Sequence, residues 1–239
     1  MRARKKPWTK QFLNGTDRLV ANPQALRGQW PAYFGNAHPI WLEIGCGKGR
    51  FITATAERYP DVNCVALEKE PEVAAFAIRA AATLALPISF IINDAQRLEE
   101  YFAPGEINRL FLNFSDPWRN KAKWHKRRLT HASFLQAYAR ILTEGGQLHF
   151  KTDNPELFDF SLHQLNSEGW HCQNITRDLH RSPFAPENIL TEYEERFAGQ
   201  GKPIYRLEAV RPTTPQPRAP VKTPGWQGLS VDIFTKPNI

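Results

Sequence analysis

The stretch Glu43-Ile44-Gly45-Cys46-Gly47-Lys48-Gly49 sets three glycines at alternate positions behind a carboxylate. A glycine-rich turn after a strand lets the backbone approach a ligand closely. The spacing is E-x-G-x-G-x-G, not the G-x-G-x-x-G of dinucleotide sites. Glu68 closes the next apolar run, where a carboxylate can accept hydrogen bonds from ribose hydroxyls. Nicotinamide dinucleotides and S-adenosylmethionine share an adenosine half, so Glu68 alone does not separate them. Glu43 leans the reading toward the methyl donor, because a carboxylate there repels a pyrophosphate but suits a cationic methionyl end. Asn93 and Asp94, after the third run, are placed to read an adenine edge.

Three further sites carry both a functional and a purely structural reading. Asp116 lies in Ser115-Asp116-Pro117-Trp118, where an Asx-Pro turn is the structural alternative. Asp153 precedes Asn154-Pro155, and Asp or Asn before a proline at the first helical position is an ordinary N-cap. Thr191-Glu192-Tyr193-Glu194 has the T-x-x-E form of a capping box.

These residues need a scaffold, and the apolar periodicity supplies one. Strands are expected over 39–44, 62–67, 88–92, 109–114, 147–152, near 170–177 and over 204–210. Between them, helices are expected from the glycines to about 59, over 71–86, and from Pro155. Another presents Phe134, Leu135, Tyr138, Ile141 and Leu142 on one face and is stopped by Gly145-Gly146. Residues 1–39 are polar, broken by Pro and Gly, and show little periodicity. Strands alternating with helices imply an α/β fold, a parallel sheet with helices on both faces. Such sheets bind ligands at the carboxyl ends of their strands. Gly45 to Gly49, Glu68, Asp94, Asp116 and Asp153 all fall there, which marks that edge as the candidate active site.

The chain has 239 residues and a net charge of +7, and the charge is concentrated. Arg2, Arg4, Lys5, Lys6 and Lys10 form one acid-free run; Arg119, Lys121, Lys123, Lys126, Arg127 and Arg128 form another. These eleven of the 31 bases leave 20 against 24 acids elsewhere. Two such segments are an electrostatic footprint for a polyanion. Trp124 and His125 inside the second could stack on bases. Neither segment has the broad apolar stripe of a membrane-surface helix, and no apolar run is long enough to span a bilayer. The basic start lacks an apolar core, so it does not read as a secretory signal, and a cytoplasmic protein is expected. Cys46, Cys64 and Cys172 have neither zinc-ligand nor redox spacing, the seven histidines form no metal motif, and no metal is expected. The organisation reads as a basic arm over 1–38, a domain over 39–210 and a Pro-rich tail over 211–239.

Four segments together resemble the bacterial tRNA (guanine-N7-)-methyltransferases: EIGCGKGRF, NFSDPWRNKAKWHKRRLT, FKTDNPELF and TEYEERFAGQGKPIYRLE. The resemblance covers about residues 1–210. The glycine loop is common to many methyltransferases, whereas S-D-P-W with its basic run, K-T-D-N and T-E-Y-E in this order are specific. The resemblance implies a doubly wound, Rossmann-like sheet of seven strands, the last antiparallel. It implies S-adenosylmethionine as donor and the variable-loop guanosine of tRNA, position 46, as acceptor. Glu43, Gly45, Gly47, Gly49, Glu68, Asn93, Asp94 and Asp116 would then line the donor site, with Asp116 catalytic. Lys121, Asp153, Thr191, Glu192, Tyr193 and Glu194 would hold the target nucleotide. Lys121, Lys123, His125, Lys126, Arg127 and Arg128 would hold RNA. The chain departs from the family in two places: Arg119 replaces a proline and lengthens the basic run by one, and the tail after Arg211 lies outside the pattern. Lys121 is taken as the family's lysine. Whether the protein is a monomer or a homodimer stays open.

Guanine N7 carries a free lone pair, so its methylation needs neither a base to deprotonate it nor a cysteine nucleophile. Alignment and charge stabilisation remain as the catalyst's tasks. Rival readings are a nicotinamide-dependent oxidoreductase, a methyltransferase acting on adenine or a protein amide, and a non-catalytic RNA-binding module.

Overall fold

The computed structural model describes residues 6–119, 121–198 and 201–213. Five strands lie parallel: β1 (Ile40–Ile44), β2 (Asn63–Glu68), β3 (Ile88–Ile92), β4 (Ile107–Asn113) and β5 (Leu142–Thr152). With β6 (His171–Thr176) and β7 (Tyr205–Val210) they form one sheet in the order β3-β2-β1-β4-β5-β7-β6. β7 runs antiparallel to both its neighbours. The expected doubly wound seven-stranded sheet with an antiparallel last strand is the one found.

The helices are α1 (Pro7–Asn14), α2 (Trp30–Phe34), α3 (Arg50–Arg58), α4 (Pro71–Ala81), α5 (Leu98–Tyr101), α6 (Ala132–Ile141), α7 (Pro155–Ser167) and α8 (Glu192–Ala198). β1 is buried at all five positions because both its faces are covered. One core gathers Leu42, Leu110, Leu148 and Phe150 of the sheet with Tyr138 of α6 and Phe158 of α7. The other gathers Cys64, Ala66 and Phe90 with Ile52 of α3 and Ile78 of α4. Toward β5 and β7 this second face turns polar, with Arg109, His149, Lys151 and Glu208 in place of aliphatic residues.

Several boundaries depart from the sequence expectation. α4 stops at Ala81 rather than near 86. The carbonyls of Leu84, Leu86 and Ile88 instead accept from the Arg18 guanidinium. Gly145-Gly146 does not end α6, which closes at Ile141. The glycine pair lies in β5, where the register with β4 slips from Ile107↔Leu142 to Arg109↔Gln147. A Cβ on Gly146 would sit 2.8 Å from the Thr143 carbonyl oxygen, so the slip needs glycine there. β4 ends at Asn113, one residue early, because Phe114 takes φ 53° and turns the chain out of the sheet.

The aperiodic N-terminal segment is ordered against the domain from α1 onward. Leu19 bridges Phe90 at the outer edge of the sheet. Trp30 is fully buried, and its Nε1 donates to the Tyr101 carbonyl at 2.9 Å. Arg2, Arg4 and Lys5 of the first basic run, and the tail beyond 213, lie outside the described residues.

Candidate active site

Glu43, one residue before the end of β1, is only 2% exposed. Its Oε1 accepts from Asn113 Nδ2 at 2.9 Å across the β1–β4 seam, while its buried Oε2 has no partner. Burial pushes this carboxyl up to about 7; the Glu68 charge adds to the rise, and Asn113 and Lys151 oppose it. An orphaned buried carboxylate oxygen facing a ligand edge calls for a cation.

The loop after β1 is shaped by its glycines. Gly49, at φ 82°, comes so close to α4 that a Cβ there would lie 2.8 Å from the Ala77 Cβ. Gly47, at φ 57°, has open space on its Cβ side, and Gly45 is equally open. Glu68 fixes this loop: its Oε2 accepts from the Gly47 amide at 3.0 Å, and its Oε1 from Lys69 and Glu70 at 2.8 and 3.0 Å. At the end of β3, Asn93 Oδ1 accepts from the Asp94 amide, and Asp94 takes Lys69 Nζ at 2.6 Å. Asp94 also accepts from the Gln96 amide, a local cap.

Asp116 is exposed and makes no hydrogen bond or ion pair among the described residues. The turn that presents it is held at unusual backbone angles, with Phe114 at φ 53° and Trp118 at φ 45°. Arg128 secures the turn from beneath. It is 4% exposed, donates from Nε to the Pro117 carbonyl at 2.8 Å, and lies 4.4 Å over the Phe160 ring. Arg128 is thus the buried base of the run, with one guanidinium nitrogen spent on Pro117. The other bases of the run face outward. Arg127 lies 4.9 Å over Trp118, Lys121 lies 5.4 Å over Trp124, and Lys123 and Lys126 are exposed. His125 packs near Phe160, with ring centroids 5.9 Å apart.

At the end of β5 the two structural alternatives resolve differently. The N-cap of α7 is Asn154, whose Oδ1 accepts from the Leu157 amide at 2.7 Å. Asp153 is thereby left out of the cap, and its Oδ2 accepts from the Tyr193 hydroxyl at 3.2 Å. Thr191 does cap α8, accepting from the Glu194 amide at 2.9 Å. Glu194 does not return the bond as in a capping box. It is fully buried and accepts from Lys151 Nζ at 2.8 Å and from Asn188 Nδ2 at 2.6 Å. Glu194 is therefore withdrawn from the expected guanine contacts, its oxygens being committed inside the protein. Glu192 pairs with Lys48 at 2.6 Å, and Glu195 pairs bidentately with Arg50, so α8 is tied to the glycine loop. Tyr193 is 41% exposed, with its ring 5.0 Å from that of Phe114.

Sequence reasoning missed Asn113 and Lys151. Lys151 is 6% exposed and donates to Asn188, Ile189 and Glu194. The available signal was a polar row, Gln147, His149 and Lys151, alternating with the apolar Leu148 and Phe150 along the strand.

The sheet order, the glycine loop on α4 and the orphaned oxygen of Glu43 define a Rossmann-like S-adenosylmethionine-dependent methyltransferase. The family model described as a putative methyltransferase matches residues 37–207. The solved 16S rRNA methyltransferase KamB shares the fold at 15% identity, with a TM-score of 0.59 over 77% of this chain and 93% of that one. Antibiotic-resistance methyltransferase Kmr does so at 20% identity, with a TM-score of 0.55 over 80% and 94%. The tRNA (guanine-N(7)-)-methyltransferase of Brevibacillus brevis is 49% identical over 87% of this chain and 98% of its own length. That of Geobacillus thermodenitrificans is 45% identical over 89% and 98%. The chain belongs to the tRNA (guanine-N(7)-)-methyltransferase family.

Proposed function

We propose that the protein transfers the methyl group of S-adenosylmethionine to N7 of the variable-loop guanosine, position 46, of tRNA. One observation carries the acceptor side: the free carboxylate of Asp116 and the Asp153–Tyr193 pair stand beyond neighbouring strands β4 and β5, at the edge where Glu43 waits for a cation.

The donor, when bound, supplies an electrophilic methyl group on a sulfonium centre. Glu43 Oε2 takes its ammonium, Gly45, Gly47 and Gly49 let the backbone close on it, Glu68 receives the ribose hydroxyls, and Asn93 and Asp94 meet the adenine. The lone pair of guanine N7 forms the new bond to the methyl carbon while the carbon–sulfur bond breaks, its electrons staying on sulfur. No proton leaves N7, and the base becomes cationic. Asp116 and Asp153 accept from guanine N1–H and the exocyclic amine, which fixes the base and stabilises the spreading charge. Adenine would leave those acceptors unpaired. Tyr193 packs on the base, which must leave its stack to arrive. Lys121, Lys123, Lys126 and Arg127 hold RNA phosphates, with His125 beside them. Thr191 and Glu192 act on the substrate through α8, by capping it and by tying it to the donor loop.

The same reading takes 39–210 as the catalytic domain, 1–38 and 211–239 as its appendages, and the cytoplasm, where tRNA is processed, as its place of action. Incubation with labelled donor and unmodified tRNA tests it: 7-methylguanosine is expected, and a methyl on any other base position contradicts it.

A further inference from the structure

Behind Asn113 and Lys151, the polar face of β4, β5 and β7 encloses a cavity of about 370 Å³ between α3 and residues 184–189. Its walls include the rings of Trp41, Tyr59, Phe111 and Phe184. Its charged and polar wall is more informative. Lys151 is consumed by Glu194. Arg206 is paired with Glu208, which also accepts from Asn174 at 2.7 Å. His149 shares a hydrogen bond with Gln147, and burial holds its pKa well below the usual imidazole range, which leaves it neutral. Arg109 is different. Its guanidinium lies 4.3 Å over Trp41 and makes no hydrogen bond or ion pair among the described residues. Desolvation weighs against its charge, although a guanidinium keeps its proton regardless.

The Arg109 guanidinium leaves its forked donors open toward the cavity, and such donors match a planar oxyanion. We infer that this cavity is a second ligand site, which takes a small organic oxyanion, a carboxylate or phosphate carried on a flat ring. The anion meets Arg109, and the ring lies among the aromatic walls. A volume of about 370 Å³ and a wall that sets aromatic rings beside the Arg109 guanidinium suit such a guest. Neither the donor nor the target guanine uses Arg109 in the methyl-transfer reading, while Asn113 and Lys151 stand between the two sites.

The test uses calorimetric titration of benzoate and of phenyl phosphate into the full chain, with S-adenosylhomocysteine saturating the donor site. Two variants accompany it. Arg109→Met removes the cation. Gln147→Glu keeps it but places a carboxylate on its cross-strand partner, where the two side chains share the cavity. Expected is saturable binding of at least one probe by the native chain, weakened tenfold or more in both variants, and the preferred probe tells carboxylate from phosphate. Retained far-ultraviolet circular dichroism and S-adenosylhomocysteine binding identify variants that are folded. Absence of saturable binding of both probes, or binding undiminished in folded variants, overturns the inference.

Discussion

Lys151 Nζ lies 2.8 Å from Glu194 Oε2, and both groups are shut off from solvent. The lysine comes from the penultimate position of β5 and the glutamate from α8, so this pair fastens the T-E-Y-E helix to the sheet. Buried ion pairs cost much to break and little to replace as a unit. Lys151→Met or Glu194→Ala alone is expected to destabilise the protein by about 3–5 kcal/mol. The double change Lys151→Met with Glu194→Leu should recover most of that loss. Thermal or urea unfolding of the three variants checks it; equal destabilisation by single and double changes would contradict the pairing.

Glu43 makes donor binding and stability depend on pH in opposite directions. Its carboxyl sits at about 7 in the folded protein against an ordinary 4.5, burial being the main cause. Between those values the native state keeps a proton that the unfolded chain has lost. Stability without donor therefore falls as pH rises from about 4.5 to 7, by about 3 kcal/mol, and then levels off. A bound ammonium beside Oε2 favours the ionised form, so donor affinity rises over the same interval. Calorimetry with S-adenosylhomocysteine and urea unfolding at about pH 5.5 and 8 measure the two trends. Glu43→Gln should flatten both and weaken binding.

Asp116→Asn keeps the shape of the turn and removes the charge. It is expected to lower kcat by about 10²–10³-fold. Asp153→Asn should lower kcat too, and the two carboxylates can be told apart with a transcript carrying inosine at position 46. Inosine lacks the exocyclic amine, so the variant that has lost the amine's acceptor should discriminate least between guanosine and inosine. Single-turnover rates on the two transcripts measure this. Equal discrimination by all three proteins would remove both carboxylates from the amine.

Arg127 and Arg128 are neighbours with different tasks. Arg127→Ala should weaken tRNA binding and reduce the salt slope of log Kd by about 1, as for one lost phosphate contact. Arg128→Met should leave the salt slope unchanged and lower kcat, because it frees the Pro117 carbonyl and the turn bearing Asp116. Filter binding across a salt series, with rates at saturating tRNA, separates them.

Much of this architecture was legible in the residue order. Strand alternation and the glycine turn required a parallel sheet, and strand-end residues are close together in any such sheet. What stayed hidden depends on contacts between distant segments. Trp30 looked like part of a polar arm, yet it anchors that arm through Tyr101, 71 residues away. Arg128 and Arg127 are alike in sequence, and only Phe160 and Pro117 distinguish them. T-x-x-E promised a reciprocal capping box, but Lys151 outcompetes the local backbone for the Glu194 carboxylate, because a buried charge must find its counter-ion. At the end of β5, Asp153 and Asn154 were equivalent candidates for a cap, and the register of α7 chose Asn154.

The most direct measurement is methyl transfer from labelled donor to two unmodified tRNA transcripts that differ only in guanosine or adenosine at position 46, with the product nucleoside identified. Expected is 7-methylguanosine from the first transcript and no transfer to the second. Equal transfer to both, or a methyl group on a different base or ring position, would contradict the assignment of site and reaction together.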